Sequence, residues 1–374
     1  MVTATEQGRR LAAVLSGCWR SAPPPVIFDP DGWDATTTRL VETGAGAIGW
    51  WRVRGSNLQH EPASSRLQNA YRVYSLGALR NEILVADVLR LCQAAGIEPL
   101  LAKGWVTARL YPEPGLRHCG DVDLFVRPDE CAAAKVALAS FTDRPLSIDL
   151  HAGFPDLSDR RLDDVFGRSC VTSVGGVRAR VPGPEDQLRH LCVHFMRHGA
   201  WRPIWLVDIA AALESADGTF DWEYCLSGAR QRTQAVACAA GLAYTLLGAR
   251  LDHTTLRAAA DRLPRWLVPA VLRQWGERYE RYTDRPFAIT LRRPADIVAA
   301  LRRRWPNQVE TTMSVRGPFN DLPRWPLQIA DCCSRTVVFL ARGLTDTATA
   351  TASRSTTQSS SIRRRHAHHR SPML

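Results

Sequence analysis

Two aspartates stand two positions apart in "GDVDLFV", a segment that otherwise has the pattern of a buried strand. Successive side chains of a strand point to opposite faces, so Val122, Leu124 and Val126 are predicted to face a core. Asp121 and Asp123 then share the other face, about 6.6 Å apart along the strand. The pair represents either two ordinary solvent-facing acids or two ligands of a cation.

A third carboxylate has a similar setting in "SIDLH", where Asp149 stands between the apolar Ile148 and Leu150. If this second strand pairs with the first, Asp149 joins Asp121 and Asp123 on one face. Three converging carboxylates repel one another unless a cation neutralises them. Oxygen ligands of this kind suit Mg²⁺ or Mn²⁺, and two such ions can hold the attacking and leaving oxygens of a phosphoryl transfer.

A lysine and a glycine, Lys103 and Gly104, lie shortly before the two aspartates. Of the 48 basic residues only Lys103 and Lys135 are lysine, so an ammonium at position 103 suggests a specific need for a compact charge. Glycine lets a backbone approach a phosphate closely, and the helix predicted to begin there would present free N–H groups. The step therefore suggests phosphate binding.

The surrounding elements are predicted to form a small mixed sheet. A long helix is expected from about Ser65 to Ala95, where apolar residues recur at helical spacing and Gly96 can cap the end. Strands are expected at 99–102, 121–126 and 145–153, a helix at 128–141, and a hairpin or edge strand at 173–182. This alternation predicts an α+β fold in which helices flank the sheet.

From Pro184 onward the chain has helical periodicity, with proline at the first helical position and acids in the first turn. We therefore expect an N-terminal segment of mixed helix and loop (1–64), a sheet-containing core (65–181) and a mainly helical domain (182–346). Residues 347–374 are low in apolar residues and contain no acid, which predicts a disordered basic tail. Such a tail either binds a polyanion or remains solvated.

Composition is that of an ordinary globular protein, with 45% hydrophobic and 23% charged residues. No apolar run is long enough to span a membrane, so no membrane partner is expected. The ten cysteines show no paired metal spacing, which favours reduced thiols in the cytoplasm. "RRLAAVLSGC" superficially resembles a lipoprotein signal ending at Cys18, but Leu11, Val14 and Leu15 have the spacing of an amphipathic helix, which we favour.

The stretch "LLAKGWVTARLYPEPGLRHCGDVDLFV" (100–126) resembles the signature of the uncharacterised nucleotidyltransferase family, within the DNA polymerase β-like superfamily. The shared features are a Lys-Gly step opening a helix, a Tyr-Pro turn, an arginine and the Gly-Asp-x-Asp strand. Similar segments follow in "IDLHAGF", "VPGPEDQLRHLCVHFMRHGAWRPIWLVDIAAAL" and "RRRWPNQVE". The resemblance extends over roughly residues 65 to 310.

This resemblance implies a set of site residues. Asp121 and Asp123 match the paired metal ligands and catalytic acids of the superfamily, and Asp149 matches the third. Lys103-Gly104 stands where many relatives have a glycine-serine step, so both are expected to bind the nucleotide through its phosphates. Arg117, in the loop before the strand, is either a further nucleotide contact or a residue that orders the loop. The segment between Asp123 and Asp149 is shorter than in most relatives, which leaves the position of Asp149 to be tested.

Two further features of the helical part admit more than one interpretation. His190, His194 and His198 share one helix face and form either a zinc pair or packing contacts; the missing glutamate of a His-Glu-x-x-His motif favours packing. Asp208 stands among apolar neighbours and is expected to pair with an arginine or a helix end.

The expected activity is metal-dependent transfer of a nucleotidyl group from an NTP, such as ATP, to a hydroxyl or phosphate of an acceptor. The cofactor is expected to be Mg²⁺ or Mn²⁺. Family relatives often lie beside genes for natural-product biosynthesis, which makes a peptide or small-molecule acceptor an expectation, while the net charge of +11 also permits RNA. The alternatives are a toxin-like tRNA nucleotidyltransferase and a catalytically silent binding protein of the same fold.

Overall fold

The computed structural model describes residues 2–28, 31–141, 146–277 and 305–337. Helices provide most of the regular structure. In chain order they are α1 Ala4–Leu15, α2 Trp33–Glu42, α3 Gly46–Val53, α4 Ser64–Ala94, α5 Gly104–Ala108, α6 Cys131–Ala137, α7 Leu162–Gly167, α8 Pro184–Arg197, α9 Pro203–Ser215, α10 Trp222–Leu226, α11 Arg230–Leu247, α12 Thr254–Ala260, α13 Leu267–Gly276 and α14 Gln308–Ser314. Residues 325–337 are also helical.

Among the described residues, five strands form one mixed sheet: β1 Leu100–Ala102, β2 Asp121–Val126, β3 Ser147–Ala152, β4 Cys170–Val174 and β5 Val177–Val181. Their order is β3-β2-β1-β5-β4. Strand β2 pairs antiparallel with β1 and parallel with β3, and β4 with β5 forms the hairpin that the sequence predicts. Strand β2, which carries two of the candidate aspartates, therefore lies inside the sheet with a neighbour on each side.

The sheet is covered on both faces. On one face Val122, Leu124 and Val126 pack against the buried side of α4 and against α6, as the alternation of β2 predicts. On the other face Phe125 packs with Leu100 and with the segment that follows β3. Asp123 belongs to this second face and is only 6% exposed. A carboxylate in such a place requires positive or hydrogen-bonding partners.

A larger core joins the two ends of the described chain. Helices α1–α3 bury apolar residues against α8, α9, α11 and α13, and α1 lies directly along α13. Cys18, after α1, is fully buried in this core. The segment expected at 1–64 and the helical domain expected at 182–346 therefore share one apolar interior, while the proposed domain boundaries themselves stay a prediction.

The predicted α+β architecture, a small mixed sheet flanked by helices with a mainly helical part after it, is confirmed. The long helix expected at 65–95 is α4, and the amphipathic helix expected near the N-terminus is α1. No helix in the part of the chain that the structure describes has the length and apolarity to cross a bilayer. The basic tail predicted at 347–374 lies outside the described residues.

Candidate metal and nucleotide site

The register of three strands brings the candidate acids and the lysine together. Asp123 lies opposite Asp149 across the parallel β2–β3 ladder and opposite Ala102 across the antiparallel β1–β2 ladder. Lys103 follows Ala102 directly, so its side chain emerges at the same edge of the sheet. The short segment between Asp123 and Asp149 thus leaves Asp149 beside Asp123, and the predicted pairing of the two strands is present.

Asp123, Asp149 and His151 form a cluster of metal-type ligands. One ligand atom of each lies within 4.8 Å of the other two. His151 Nε2 lies 3.1 Å from Asp123 Oδ1 and 3.1 Å from Asp149 Oδ2. Asp149 is the open side of the cluster, with 53% of its side chain exposed. A cation could therefore enter from solvent at Asp149 and reach the buried Asp123.

The sequence contains a signal for His151, but no role was predicted for it. His151 follows Asp149 by two positions, so the strand alternation places both on one face. An imidazole is a less usual ligand than a carboxylate for Mg²⁺, so this signal is weaker than that of the aspartates. In the structure the ring of His151 stacks on Phe125 at 4.4 Å between centroids, and this contact fixes its orientation toward the acids.

Lys103 neutralises Asp123. Its Nζ lies 2.5 Å from Asp123 Oδ1 and 5.5 Å from the centre of the Phe125 ring. Burial raises the pKa of Asp123, but the hydrogen bond with His151 and the charge of Lys103 outweigh it, and the net result is a pKa below the usual value. Asp123 is therefore ionised at neutral pH, and its charge is paired with the ammonium of Lys103.

The backbone at Lys103 is strained. Its φ of 53° and ψ of −129° lie in a region that L-residues other than glycine rarely adopt. Its carbonyl accepts hydrogen bonds from the Thr107 N–H at 3.1 Å and from the Gln187 amide at 3.4 Å, which hold the conformation. This sharp turn between β1 and α5 aims the ammonium at Asp123. Strain of this kind is characteristic of functional positions.

Asp121 lies apart from the three-residue cluster. It is the exposed first residue of β2 and pairs in register with Ser147. Its role as a metal ligand stays a prediction. The carboxylate is in electrostatic range of Arg202, at the start of α9, and of Cys119.

Arg117 and Gly104 contact each other. A Cβ on Gly104 would lie 2.8 Å from a terminal nitrogen of Arg117, so only glycine fits there without displacing the guanidinium. Arg117 donates to Asp208 at 3.1, 3.0 and 2.9 Å and is 8% exposed. Its guanidinium thus orders the loop behind the Lys103 turn. The predicted contact of Arg117 with a nucleotide remains untested, as does that of Gly104.

The pairing expected for Asp208 is with Arg117, and Tyr111 completes the group. Asp208 is fully buried and accepts a hydrogen bond from the Tyr111 hydroxyl at 2.8 Å. Burial lowers the pKa of Arg117, but the charge of Asp208 outweighs it and raises the pKa overall. Burial, together with the charge of Asp208, raises the pKa of Tyr111 well above the usual value. Tyr111, Arg117 and Asp208 thus form a buried, hydrogen-bonded group that supports α5.

The histidines of α8 have packing and hydrogen-bonding roles. His194 Nδ1 lies 3.3 Å from Asp156 Oδ2, and Arg197 reaches the other oxygen of this buried carboxylate at 2.9 Å. His190 packs edge-on against Phe125 and Phe154. Burial lowers the pKa of His190 to about 3 and that of His198 to about 4, so both are neutral at pH 7. Within the described ranges, none of the three histidines belongs to a metal-ligand group.

The donor set of the cluster fits a divalent cation. Two carboxylates on adjacent strands, one buried and one open to solvent, provide the hard oxygens that Mg²⁺ and Mn²⁺ prefer. The imidazole of His151 suits Mn²⁺ and softer ions better than Mg²⁺. The arrangement can thus hold a cation next to the ammonium of Lys103, which is suited to a phosphate.

One solved structure is similar to part of the chain: an antigenic nucleotidyltransferase-like protein from Paracoccidioides brasiliensis. The identity is 17%, the match covers 48% of this chain and 91% of that chain, and the TM-score is 0.35. A comparison with curated proteins gives no match. A protein family described as uncharacterised nucleotidyltransferase matches residues 29–141 and 139–248, which include every residue of the site. The resemblance read from residues 100–126 is thereby confirmed, and the chain belongs to the uncharacterised nucleotidyltransferase family.

Proposed function

We propose that the protein transfers a nucleotidyl group from an NTP to a hydroxyl or phosphate of an acceptor, using Mg²⁺ or Mn²⁺. The observation that supports this most directly is the register of β2 and β3, which sets Asp123 beside Asp149. Family membership supports nucleotidyl transfer in general. Asp123, Asp149 and Asp121 would hold the cation, with His151 as an additional ligand or as the residue that orients the two carboxylates.

The cation would supply charge neutralisation at the α-phosphate. Lys103 Nζ, which faces Asp123 Oδ1, would contact a phosphate oxygen of the nucleotide bound there. An oxygen of the acceptor attacks the α-phosphorus, the bond to the β-phosphate oxygen breaks, and pyrophosphate leaves. When the acceptor is a hydroxyl, its proton passes to the half-exposed carboxylate of Asp149. The buried Asp123 keeps its charge because Lys103 and His151 stabilise the ionised form.

The acceptor class remains part of the proposal. A peptide natural product or another small molecule follows from the family resemblance, and ATP is the first NTP to test. RNA is the competing acceptor, and steep weakening of RNA binding with salt would be its signature. A tRNA-modifying enzyme would show this salt dependence together with a nucleotide added to the RNA.

A second candidate function is a catalytically silent binding protein, and one observation favours it. Lys103 pairs with Asp123 through its ammonium, and His151 lies within hydrogen-bond distance of the same carboxylate oxygen. The acids therefore do not require a cation to remain clustered. Such a protein would bind a nucleotide or acceptor but would show neither metal binding at Asp123 nor product formation.

The deciding experiment combines metal titration with a transfer assay. Calorimetric titration with Mn²⁺ should show binding to the wild type and to Asp129→Asn, an exposed acid outside the site, but not to Asp123→Asn. Each labelled NTP is then incubated with Mg²⁺ and with peptide or RNA acceptors. Mass spectrometry should find an added nucleotide, and pyrophosphate should be released. Mn²⁺ binding that survives in Asp123→Asn, or the lack of any transfer, would favour the silent protein.

A further inference from the structure

The middle of α4 exposes a row of large apolar side chains. Val73, Leu76, Leu79 and Ile83 are between 54% and 70% exposed. Their spacing of three, three and four places all four within about a third of the circumference of the helix. Single exposed apolar residues are ordinary on a soluble protein, whereas a contiguous row on one element indicates an interaction surface. These four residues form the α4 stripe.

The stripe belongs to a helix that is held at both ends. Toward its N-terminus Leu67 is fully buried in the larger core, and toward its C-terminus Val85 and Val88 are fully buried against the sheet. The exposure of the stripe is therefore not the fraying of a free helix end. It is a preformed apolar face that the described residues leave uncovered.

The stripe lies on the side of α4 that is turned away from the candidate site. Tyr74 stacks on the ring of His118 at 4.1 Å, and Asn81 donates to a backbone carbonyl of the same loop at 3.0 Å. Leu76 and Ile83 each follow one of these residues by two positions, which is about 200° further around the helix. A nucleotide or acceptor bound at the acid cluster would therefore not cover the stripe.

The stripe is complementary to itself in an antiparallel arrangement. Val73 and Ile83 lie at equal distances from position 78, and Leu76 and Leu79 nearly so. If two copies of α4 cross antiparallel about a two-fold axis near that position, Val73 meets Ile83 of the partner subunit and Leu76 meets Leu79 of the partner subunit. The two-fold axis repeats each contact, as in the isologous interfaces of most homodimers.

The charges beside the stripe fit the same arrangement. Arg72 and Glu82 are exposed on the Leu79 side of the stripe, and Arg72 forms no ion pair with a described residue. A two-fold axis brings this side of one helix to the same side of the other, so Arg72 approaches Glu82 of the partner subunit. One oxygen of Glu82 accepts from the Gly175 N–H at 3.2 Å, and the other can accept from the arginine. Arg80, on the opposite side near the axis, adds some repulsion between its two copies.

We propose that the α4 stripe is the contact between two copies of this chain, paired antiparallel through α4. A stable interface buries about 800 Å² on each partner. Four side chains supply only part of that area, and Arg80 opposes association. The expected dimer is therefore reversible, with a dissociation constant in the micromolar range.

Sedimentation velocity of the whole chain, up to about 200 μM, tests the dimer. The variants are Leu76→Asp and Val136→Asp, and Val136 is an equally apolar, 77% exposed residue of α6 outside the stripe. Leu76→Asp introduces its charge twice into a symmetric interface, so it should weaken dimerisation by at least about 100-fold. Val136→Asp should dimerise like the wild type.

Disulfide cross-linking tests the antiparallel register. Val73→Cys and Ile83→Cys are made separately in a chain whose two exposed cysteines, Cys170 and Cys333, are replaced by serine. Under mild oxidation a mixture of the two variants should give a covalent dimer. Either variant alone should not, because like positions are about 15 Å apart along antiparallel helices, too far for a disulfide. Equal cross-linking of one variant with itself would reject this register.

Three results would overturn the proposal. The first is a wild type that stays monomeric throughout the concentration range, and the second is a dimer that persists in Leu76→Asp. The third is a monomeric wild type that binds vesicles of anionic lipid through Leu76, which would assign the stripe to a membrane surface. If Leu76→Asp lowers the melting temperature of the monomer, Leu76→Ser takes its place and must still weaken dimerisation at least about 10-fold.

Discussion

The buried pair Arg117–Asp208 provides the sharpest quantitative prediction. Asp208 is fully buried. It accepts three hydrogen bonds from Arg117 and one from the Tyr111 hydroxyl. Asp208→Leu would leave the guanidinium buried without a counter-charge, a loss of about 3–5 kcal/mol in unfolding free energy. The unpaired Tyr111 hydroxyl adds about 1–3 kcal/mol. Asp208→Leu is therefore expected to be among the most destabilising single substitutions in the chain.

The double variant Arg117→Met/Asp208→Leu should recover most of this loss. An apolar pair of similar volume can replace a buried ion pair at little cost, so the remaining losses are the partners of the Tyr111 hydroxyl and of the His118 carbonyl, which accepts a hydrogen bond from Arg117. The two single changes are thus expected to be non-additive, with a coupling energy of about 2–4 kcal/mol. Arg90–Asp87 is the control, a half-exposed pair at 2.7 Å for which a coupling below about 1 kcal/mol is expected.

Urea unfolding followed by far-ultraviolet circular dichroism measures these free energies, provided that the m values of the variants agree. Additive effects of Arg117→Met and Asp208→Leu, within about 0.5 kcal/mol, would refute the reasoning. The stable double variant also tests the predicted nucleotide contact of Arg117. Unchanged NTP affinity in that variant would show that Arg117 only supports the loop, and weakened affinity would show that it contacts the nucleotide.

Three further changes are predicted to have measurable effects. Lys103→Ala should weaken NTP binding by about 1.5–3 kcal/mol in calorimetry at fixed Mg²⁺, and Lys103→Arg should not restore it fully, because a guanidinium is larger and prefers a fork geometry; wild-type affinity in both would contradict a phosphate contact. Gly104→Ala should destabilise by about 1–3 kcal/mol, because its Cβ would displace Arg117, whereas Gly167→Ala, with open space around it, should be tolerated in thermal unfolding. Burial lowers the pKa of His190 from 6.5 to about 3 in the folded protein. Below pH 6.5 the unfolded chain therefore binds a proton at this residue that the folded protein does not bind, and the free energy of unfolding decreases as the pH falls. His190→Leu should flatten that decline between pH 6 and 4 by up to about 1.4 kcal/mol per pH unit in urea titrations, and an unchanged slope would contradict the burial of a neutral ring.

The parts of the site that local sequence determines were predictable. The period of two along each strand places Asp121 and Asp123 on one face and Asp149 on the same face of its own strand. Once β2 and β3 pair in parallel, with Asp123 opposite Asp149, these two acids lie side by side without further information, whereas Asp121 lies apart from them. The family resemblance at 100–126 supplied the chemistry that the pattern alone leaves open.

Long-range contacts were not predictable from the pattern. Lys103 reaches Asp123 because of the antiparallel register of β1 and β2, which is set across a loop whose length gives no indication of pairing. Arg117 was read as a loop residue, and its partner Asp208 lies 91 positions away on α9. Similarly, hydrophobic periodicity identifies α1 as amphipathic but does not show that its apolar side packs along α13.

The backbone at Lys103 has a consequence for protein engineering. Glycine would adopt a φ of 53° without strain, and the family resemblance places a glycine at this position in many relatives. Lys103→Gly would relieve the turn but would also remove the ammonium that pairs with the buried Asp123, so its two effects on stability oppose each other. A library of substitutions at position 103, screened separately for heat tolerance and for nucleotide affinity, should distinguish the effect of the strained turn from that of the ammonium. Retention of lysine in affinity-selected clones, and its loss in heat-selected clones, would identify the strain as the cost of a function.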